Sequence, residues 1–234
     1  MAGESEIGTN SLNHSNSLSM SNFFRSAFCM VFIVSTTCFV VINQLLGQET
    51  TTDEGELENI FERQQTNTVE LQSLIFNLNS EQLQFKPDDE SWSIAEIVEH
   101  IVITDRILLD RIKKAVKSGP NPEHREEITI TEEDLLNIML DRDRSGQASE
   151  ILHPEGNYKS FRMAIEKFVA GQHNFREYLK EISTEKNLRN YVIDDMPFGS
   201  MDALQVALLS TAHAQRHFLQ IEEVKAHGDF PQGR

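Results

Sequence analysis

The sequence predicts an all-α protein that folds as an antiparallel four-helix bundle, and three observations support this prediction. Four long segments repeat apolar residues at spacings of three and four, as helices with one buried face do. Alternating strand patterns with turn dipeptides are scarce. The 187 residues that follow Gly47 in this 234-residue chain contain no repeat and no linker rich in proline, glycine and serine, which favours a single domain.

The first two long helices are predicted on either side of a polar segment. The first spans about residues 53–78 and has an interrupted apolar stripe. The second begins at a capping box formed by Ser93 and Glu96, in which each side chain bonds the free backbone N–H of the other. It should end near Lys117, because a Ser-Gly-Pro sequence follows.

Two further long helices are predicted after an irregular segment, which contains a short helix after Thr131. The third long helix spans about residues 158–182. The fourth spans about residues 200–226 and follows a Pro-Phe-Gly turn. Since no strand is expected, the four helices must bury their apolar faces against one another.

The N-terminal region contains a charge-free apolar run at residues 27–42. Sixteen residues are short for a membrane-spanning helix, which needs about 20 apolar positions, but they suit the hydrophobic part of a secretory signal. Residues 1–19 are polar and carry two glutamates, whereas the start of such a signal is positive. Met20 would place an amino terminus and Arg25 just before the run, so we predict that translation starts there.

Cleavage before Gln48 would release the rest of the chain, so we expect an exported protein, periplasmic or secreted. The alternative is an uncleaved anchor at residues 27–46 with the bundle outside the cytoplasm. Cys29 and Cys38 are the only cysteines and both lie in the run, so the mature domain would be insensitive to an oxidising compartment. The predicted organisation is a polar leader at 1–19, a signal peptide or anchor at 20–47, a domain at 48–228 and a tail at 229–234.

The charge of the chain narrows the classes of partner. The 37 acids and 21 bases give a formal charge of −16, and removal of the first 47 residues would leave 35 acids, 20 bases and −15. Such a field repels phosphate backbones and anionic bilayers, which argues against nucleic-acid binding. Two cysteines cannot form a thiolate zinc site, so metal chemistry would depend on the eight histidines and the carboxylates.

Two histidines share the apolar face of the fourth helix. His213 and His217 are four residues apart, and this spacing can present two imidazoles to one metal ion. The alternative is that each is a hydrogen-bonded core residue. Ala214 stands where the zinc-peptidase motif H-E-x-x-H requires glutamate, which excludes that class.

A third histidine lies on the second helix. His100 is at the edge of the buried stripe, about 60° from Ile97 at about 100° per residue. Three imidazoles from two helices would leave one to three positions of a divalent cation open, as in catalytic sites. Four of the remaining histidines are predicted to be solvated: His14, His124, His153 and His227. His173 lies inside the third helix but off its apolar stripe, so it is not assigned to the site.

These residues fall in two motifs that resemble the DinB/YfiT-like four-helix proteins. The segment 91–100, SWSIAEIVEH, is similar to the W-S-x-x-E-x-x-x-H motif of that family, and the segment 213–221, HAQRHFLQI, is similar to its H-x3-H-x2-Q-I motif. The resemblance covers about residues 57–225. It implies a long crossover between helices two and three, with His100, His213 and His217 holding zinc, nickel, or else manganese or iron. Trp92 would be a structural plug, and Gln220 would contact a ligand or pack.

The resemblance implies a metal-dependent hydrolase or a thiol-dependent transferase acting on a small molecule. The cation would activate a bound water or a substrate thiol. Export argues against the thiol route because small reduced thiols are mainly cytosolic. Glu96 and Asp105 are candidates for a general base or for contact with a ligand, although solvated surface acids are the favoured interpretation. A non-catalytic metal- or ligand-binding module is the alternative function, and a homodimer is left open.

Overall fold

The computed structural model describes residues 53–144 and 148–232. The proposed start at Met20, the apolar run, both cysteines and His14 lie outside these ranges. Within them, no helix is both long enough and apolar enough to cross a membrane.

The described chain is mostly helical, with one small hairpin. The long helices are α1 (Asp53–Ile75), α3 (Ile94–Ser118), α5 (Phe161–Ser183) and α6 (Ala203–Lys225), and the short helices are α2 (Ser80–Gln84) and α4 (Glu132–Leu140). The hairpin consists of β1 (Val192–Met196) and β2 (Gly199–Asp202). Short 3-10 helices occur at Pro122–Glu127, Glu150–Leu152 and Leu188–Asn190. The predicted four long helices, the long crossover and the short helix after Thr131 are confirmed.

The capping box that predicted the start of the second long helix is present at α3. The Ser93 hydroxyl accepts a hydrogen bond from the Glu96 backbone N–H at 3.3 Å, and the Glu96 carboxylate accepts one from the Ser93 N–H at 2.8 Å. Asp202 and Gln205 form the same reciprocal pair at the start of α6. Each pair satisfies two backbone donors that a helix start leaves free.

The prediction that the chain has no strand is wrong at residues 192–202. The Pro-Phe-Gly sequence makes the hairpin turn, in which Gly199 has φ of 89°, a left-handed conformation that glycine adopts without strain. The fourth helix therefore begins at Ala203 and not near Ser200, because Asp202 caps it. The third helix likewise begins at Phe161 and not at residue 158, because Ser160 is its N-cap.

The order of the helices follows from the contacts between them. His100 lies beside His213 and Asp105 beside Ser210, so α3 and α6 are antiparallel. The long crossover brings α5 to α3 as a parallel neighbour, and α1 packs against α5 and α6. The antiparallel contact between α3 and α6 is the one that positions the histidines.

The bundle has an apolar cluster towards each end. One includes Ile97, Ile101, Phe168 and Phe218, and the other includes Leu108, Ile112, Phe175 and Val206. Buried polar side chains occur along the helices between these clusters: Gln64, Asn67, Thr104, Asp105, Gln172, Ser210 and Thr211.

Candidate metal centre

The structure brings together the three histidines selected from the sequence. Nε2 of His213 lies 3.1 Å from Nε2 of His100 and 3.1 Å from Nε2 of His217. One ring nitrogen of each residue lies within 4.8 Å of the other two. The one-turn spacing on α6 supplies two rings and the antiparallel α3 supplies the third, so the helical periodicity accounts for the convergence.

Two of the rings are held in one tautomer. His100 Nδ1 donates to the backbone carbonyl of Leu152 at 2.8 Å, and His217 Nδ1 donates to the side-chain oxygen of Gln220 at 2.7 Å. A carbonyl oxygen can only accept, so both Nδ1 atoms carry the proton and both Nε2 atoms present a lone pair. Of the two roles considered for Gln220, packing is the favoured one, but contact with a histidine of the site is the one observed.

Neutral rings cannot satisfy both short contacts of His213. If its Nε2 carries the proton, it can donate a hydrogen bond to Nε2 of His100 or of His217, but not to both, and the second short contact makes no hydrogen bond. If Nδ1 carries the proton, all three lone pairs meet, and Nδ1 has no hydrogen-bond partner among the described residues. A cation between the three nitrogens would remove this conflict.

A positive charge on one of the imidazoles does not resolve this conflict near neutral pH, because the rings are not protonated there. Burial lowers the pKa of His100, and burial together with the two neighbouring rings holds the pKa of His213 well below its usual value. Burial lowers the pKa of His217 to about 3, with His100 adding to the effect. The imidazoles therefore remain neutral, which is the form that binds metal ions.

The spacing fits a single transition-metal ion. Nitrogens 3.1 Å apart and about 2.1 Å from a common ion subtend an angle of about 95° at that ion. This angle lies between the octahedral and tetrahedral values. Three protein ligands would leave at least one coordination position of a divalent cation for another ligand.

Trp92 lies against the rings, at the N-terminal end of α3. The centroid of its ring is 4.6 Å from that of His100 and 6.4 Å from that of His217. The residue is half-buried and lines the adjoining cavity. Its expected role as a plug therefore becomes more specific, since it forms one wall of the histidine site.

A cavity of about 870 Å³ adjoins the histidines. Its inner wall comes from α3 and α6, and its outer wall comes from α4, the segment around Leu152 and the hairpin. The hairpin residues Met196, Pro197 and Phe198 were not selected from the sequence, because no helical pattern links them to the site. Arg111 also lines the cavity. Its position 11 residues after His100 puts both on the same face of α3, so the sequence alone could have indicated that Arg111 lies on the side of the site.

The comparison with known proteins agrees with this arrangement. The sequence model of the DinB superfamily matches residues 61–221, which include all three histidines. The chain belongs to the DinB superfamily. It is also similar to "Uncharacterized protein YuaE" of Bacillus subtilis (strain 168), with 25% identity over 148 residues that cover 63% of this chain and 86% of YuaE. No solved structure matches the chain significantly.

Neither acid proposed as a general base faces the histidines of this DinB domain. The Glu96 carboxylate is taken up by the capping box and by an ion pair with Lys86 at 2.9 Å, and it does not line the cavity. For Asp105 the favoured interpretation, a solvated acid, is wrong, because the residue is only 3% exposed. Its two oxygens accept hydrogen bonds from Ser210 and Gln172, both at 2.6 Å.

The other described histidines of the DinB domain lie apart from the site. His153 is exposed, as predicted, although its ring also packs against Trp92 at 5.9 Å. His173, which the sequence does not assign to the site, is exposed as well. His227 is half-buried. His124 approaches Glu127 at 2.9 Å, in a group at the surface that also includes Asp194. None of these side chains joins the three-histidine cluster.

Proposed function

We propose that the protein is a divalent-metal-dependent enzyme, a hydrolase or a thiol-dependent transferase, that holds its cation with His100, His213 and His217. The observation that carries this proposal is the convergence of the Nε2 atoms of three neutral imidazoles beside a cavity of about 870 Å³. We infer zinc or nickel as the cation, with manganese or iron as alternatives, because imidazole ligands suit zinc, nickel and iron.

The protein residues around the site fix the ligands and shape the space beside them. Leu152 and Gln220 orient two rings, and such supporting contacts are worth about 10- to 100-fold in metal affinity in proteins of known function. Trp92 covers one side of the rings, and the cavity leaves space beside them for a ligand. A bound divalent cation would lower the pKa of a coordinated water or thiol and so supply a nucleophile at neutral pH.

We further propose that the protein is exported, and export favours hydrolysis over thiol transfer because small reduced thiols are mainly cytosolic. The charge-free run at residues 27–42 supports this proposal. Expression of the full gene in its native host, followed by N-terminal sequencing of the exported fraction, should give a sequence that begins at Gln48. An intact Met1 on all of the protein would contradict export by this signal.

A non-catalytic metal- or ligand-binding module is the second candidate function. The observation that favours it is the scarcity of carboxylates at the site: among the described residues that line the cavity, Asp195 is the one acid. An enzyme without a nearby general base must rely on the cation alone to generate the nucleophile. Measurements of metal content and of activity together separate the two candidates.

The first test is metal content by mass spectrometry after loading with zinc or nickel and gel filtration. We expect about one ion per chain in the wild type and a loss of bound metal in His217→Ala. His173→Ala removes an exposed histidine of α5 and is the matched control, which should retain the ion. Metal at 100 times its Kd should also stabilise the wild type by about 2.7 kcal/mol, measured by thermal unfolding.

Two outcomes decide between the proposals. Stoichiometric metal in a variant with His100→Ala, His213→Ala and His217→Ala combined would rule out the site. If His217→Ala loses the metal together with a hydrolytic or thiol-transfer activity found in a broad substrate panel, the enzyme is supported. Loss of metal with no change in any activity would favour the binding module.

A further inference from the structure

The cavity beside the histidines is lined by more basic than acidic side chains. Four arginines line it, Arg111, Arg142, Arg144 and Arg216, against the single aspartate Asp195. The chain as a whole has 37 acids and only 21 bases. An arginine of this lining that has no carboxylate partner would favour an anionic ligand.

Three of these arginines are already occupied. Arg142 makes a two-pronged ion pair with Glu223, at 2.9 and 2.7 Å. Arg144 lies 3.3 Å from the Asp141 carboxylate. Arg216 donates to three backbone carbonyls at the end of α4 and just after it, including those of Met139 and Asp141. These contacts close the C-terminal end of α4 over the cavity.

Arg111 differs from Arg142 and Arg144 because no carboxylate of the described residues pairs with it, and from Arg216 because only one of its nitrogens makes hydrogen bonds. Its Nη1 donates to the backbone carbonyls of Asp194 at 3.5 Å and Asp195 at 3.2 Å, and it lies 3.7 Å from the sulfur of Met196. In the described part of the chain, no carboxylate lies within ion-pair distance of this guanidinium. Nε and Nη2, which form one edge of the planar group, make no hydrogen bond there, so this edge can receive a carboxylate in the two-pronged geometry.

The hairpin holds Arg111 in this position. The strand register is irregular between Ile193 and Met196, and Asp195 has a left-handed φ of 57°. This irregularity directs two successive carbonyl oxygens at the same Nη1 atom. A residue other than glycine adopts such a backbone only at a cost in free energy, so the surrounding contacts must hold it.

Arg111 and the histidines mark two ends of one elongated space. Arg111 is 11 residues after His100, which places it within about 20° on the same face of α3 and about 16 Å further along the helix axis. The wall between them is mostly apolar, with Ile107 and Leu108 of α3 and Leu209 of α6, and it includes the hydroxyl of Thr104 close to His100. A ligand that fills the space thus meets a cation-binding group, an apolar wall and a guanidinium in that order.

We propose that the substrate is an elongated amphipathic anion. Its carboxylate binds the free edge of Arg111, its apolar part lies along Ile107, Leu108 and Leu209, and its reacting group reaches the histidines. The inference rests on the proposed metal-dependent function for the last of these contacts. Binding of the carboxylate by Arg111 is independent of the cation and can be tested separately.

The test compares two hydroxamates of equal chain length on zinc-loaded protein. Suberic acid monohydroxamate carries a carboxylate at the end remote from its metal-binding group, and octanohydroxamic acid ends there in a methyl group. Affinity is measured by calorimetry and by the fluorescence of Trp92, the only tryptophan of the chain, whose ring lies 4.6 Å from that of His100. We expect the anionic probe to bind at least about tenfold more tightly, as one charge-assisted pair at a partly buried site allows.

Variants at two arginines of α3 test whether Arg111 causes the preference for the anionic probe. In Arg111→Met the anionic and neutral probes should bind with equal affinity, whereas Arg106→Met, which removes an exposed arginine of the same helix, should keep the tenfold preference. Arg111→Gln retains a hydrogen-bond donor to the hairpin but lacks the charge, and it serves if the methionine variant does not fold. Equal affinities in the wild type, or an unchanged preference in both Arg111 variants, would overturn the proposal.

Failure of the proposed function is recognised separately, because metal content is measured before the probes are added. If the wild type holds no cation, octanoate and octanol replace the hydroxamates on the metal-free protein. An octanoate preference that disappears in Arg111→Met would then support the anion site without the metal. Equal binding of octanoate and octanol would overturn the anion site as well.

Discussion

Replacement of Arg189 by methionine is expected to lower the free energy of unfolding by about 3–5 kcal/mol. The Arg189 guanidinium contacts Glu56 of α1 at 2.8 Å, Glu132 of α4 at 2.5 Å and Asp202 at 2.9 Å. Its side chain is 14% exposed and that of Asp202 is 2% exposed. Removal of the arginine would leave the buried carboxylate of Asp202 without its partner, and this carboxylate also caps α6, the helix that carries two histidines.

Urea unfolding at pH 7 measures this effect, and two variants control it. Arg142→Met breaks a largely exposed pair with Glu223 and should cost no more than about 1 kcal/mol. Asp202→Asn keeps an N-cap oxygen but removes the charge, so its addition to Arg189→Met should recover part of the lost stability. A change of less than about 0.5 kcal/mol in Arg189→Met would show that the ion cluster does not stabilise the fold.

The long helices could be predicted because each one buries a single face and starts at a recognisable cap. The apolar spacing and the Ser93–Glu96 capping box located α3 almost to the residue. The hairpin could not be predicted in this way, since Asp194 and Asp195 interrupt any alternation in β1. Its strands form through pairing and through burial of Val192 and Ile193, which are contacts with distant residues that a local pattern does not contain.

Only part of the candidate metal centre could be predicted from the sequence. His100, His213 and His217 lie on helices, where the spacing of residues fixes their faces. The outer wall comes from the crossover and the hairpin, whose path depends on tertiary packing and has no period in the sequence. The burial of Asp105 did have a signal, because on the helical wheel it falls between Val98 and Ile101, inside the apolar stripe, at about 100° per residue.

Replacement of Asp105 by asparagine is expected to stabilise the protein, and to do so more strongly at pH 8 than at pH 5. Burial raises the pKa of Asp105 to about 7 from a usual value of 3.8, although the hydrogen bonds from Ser210 and Gln172 oppose the rise. Between pH 3.8 and about pH 7, the usual and the raised pKa of Asp105, the folded protein holds a proton that the unfolded chain has released. Stability therefore falls as the pH rises through this window. Above pH 7 the folded protein bears the full cost of a buried carboxylate, about 4 kcal/mol as an upper limit, most of which develops above pH 5.

Asparagine keeps the shape of the side chain and removes this cost. Its amide can be accommodated because the side-chain oxygen of Gln172 has no hydrogen-bond partner among the described residues and can turn towards it. The low pKa values of the buried histidines also make stability depend on pH, but in the opposite direction, and they are common to both proteins. The difference between the variant and the wild type therefore isolates Asp105.

Urea unfolding of both proteins at pH 5 and pH 8 measures this difference. The variant should gain about 2–3 kcal/mol relative to the wild type between the two pH values, since about two of the roughly three pH units over which the cost develops lie above pH 5. Asp110→Asn alters an exposed acid of the same helix, with a side chain 65% exposed, and should show no such change. An equal effect of Asp105→Asn at both pH values would mean that Asp105 is already ionised at pH 5, and that Ser210 and Gln172 stabilise its charge more than burial opposes it.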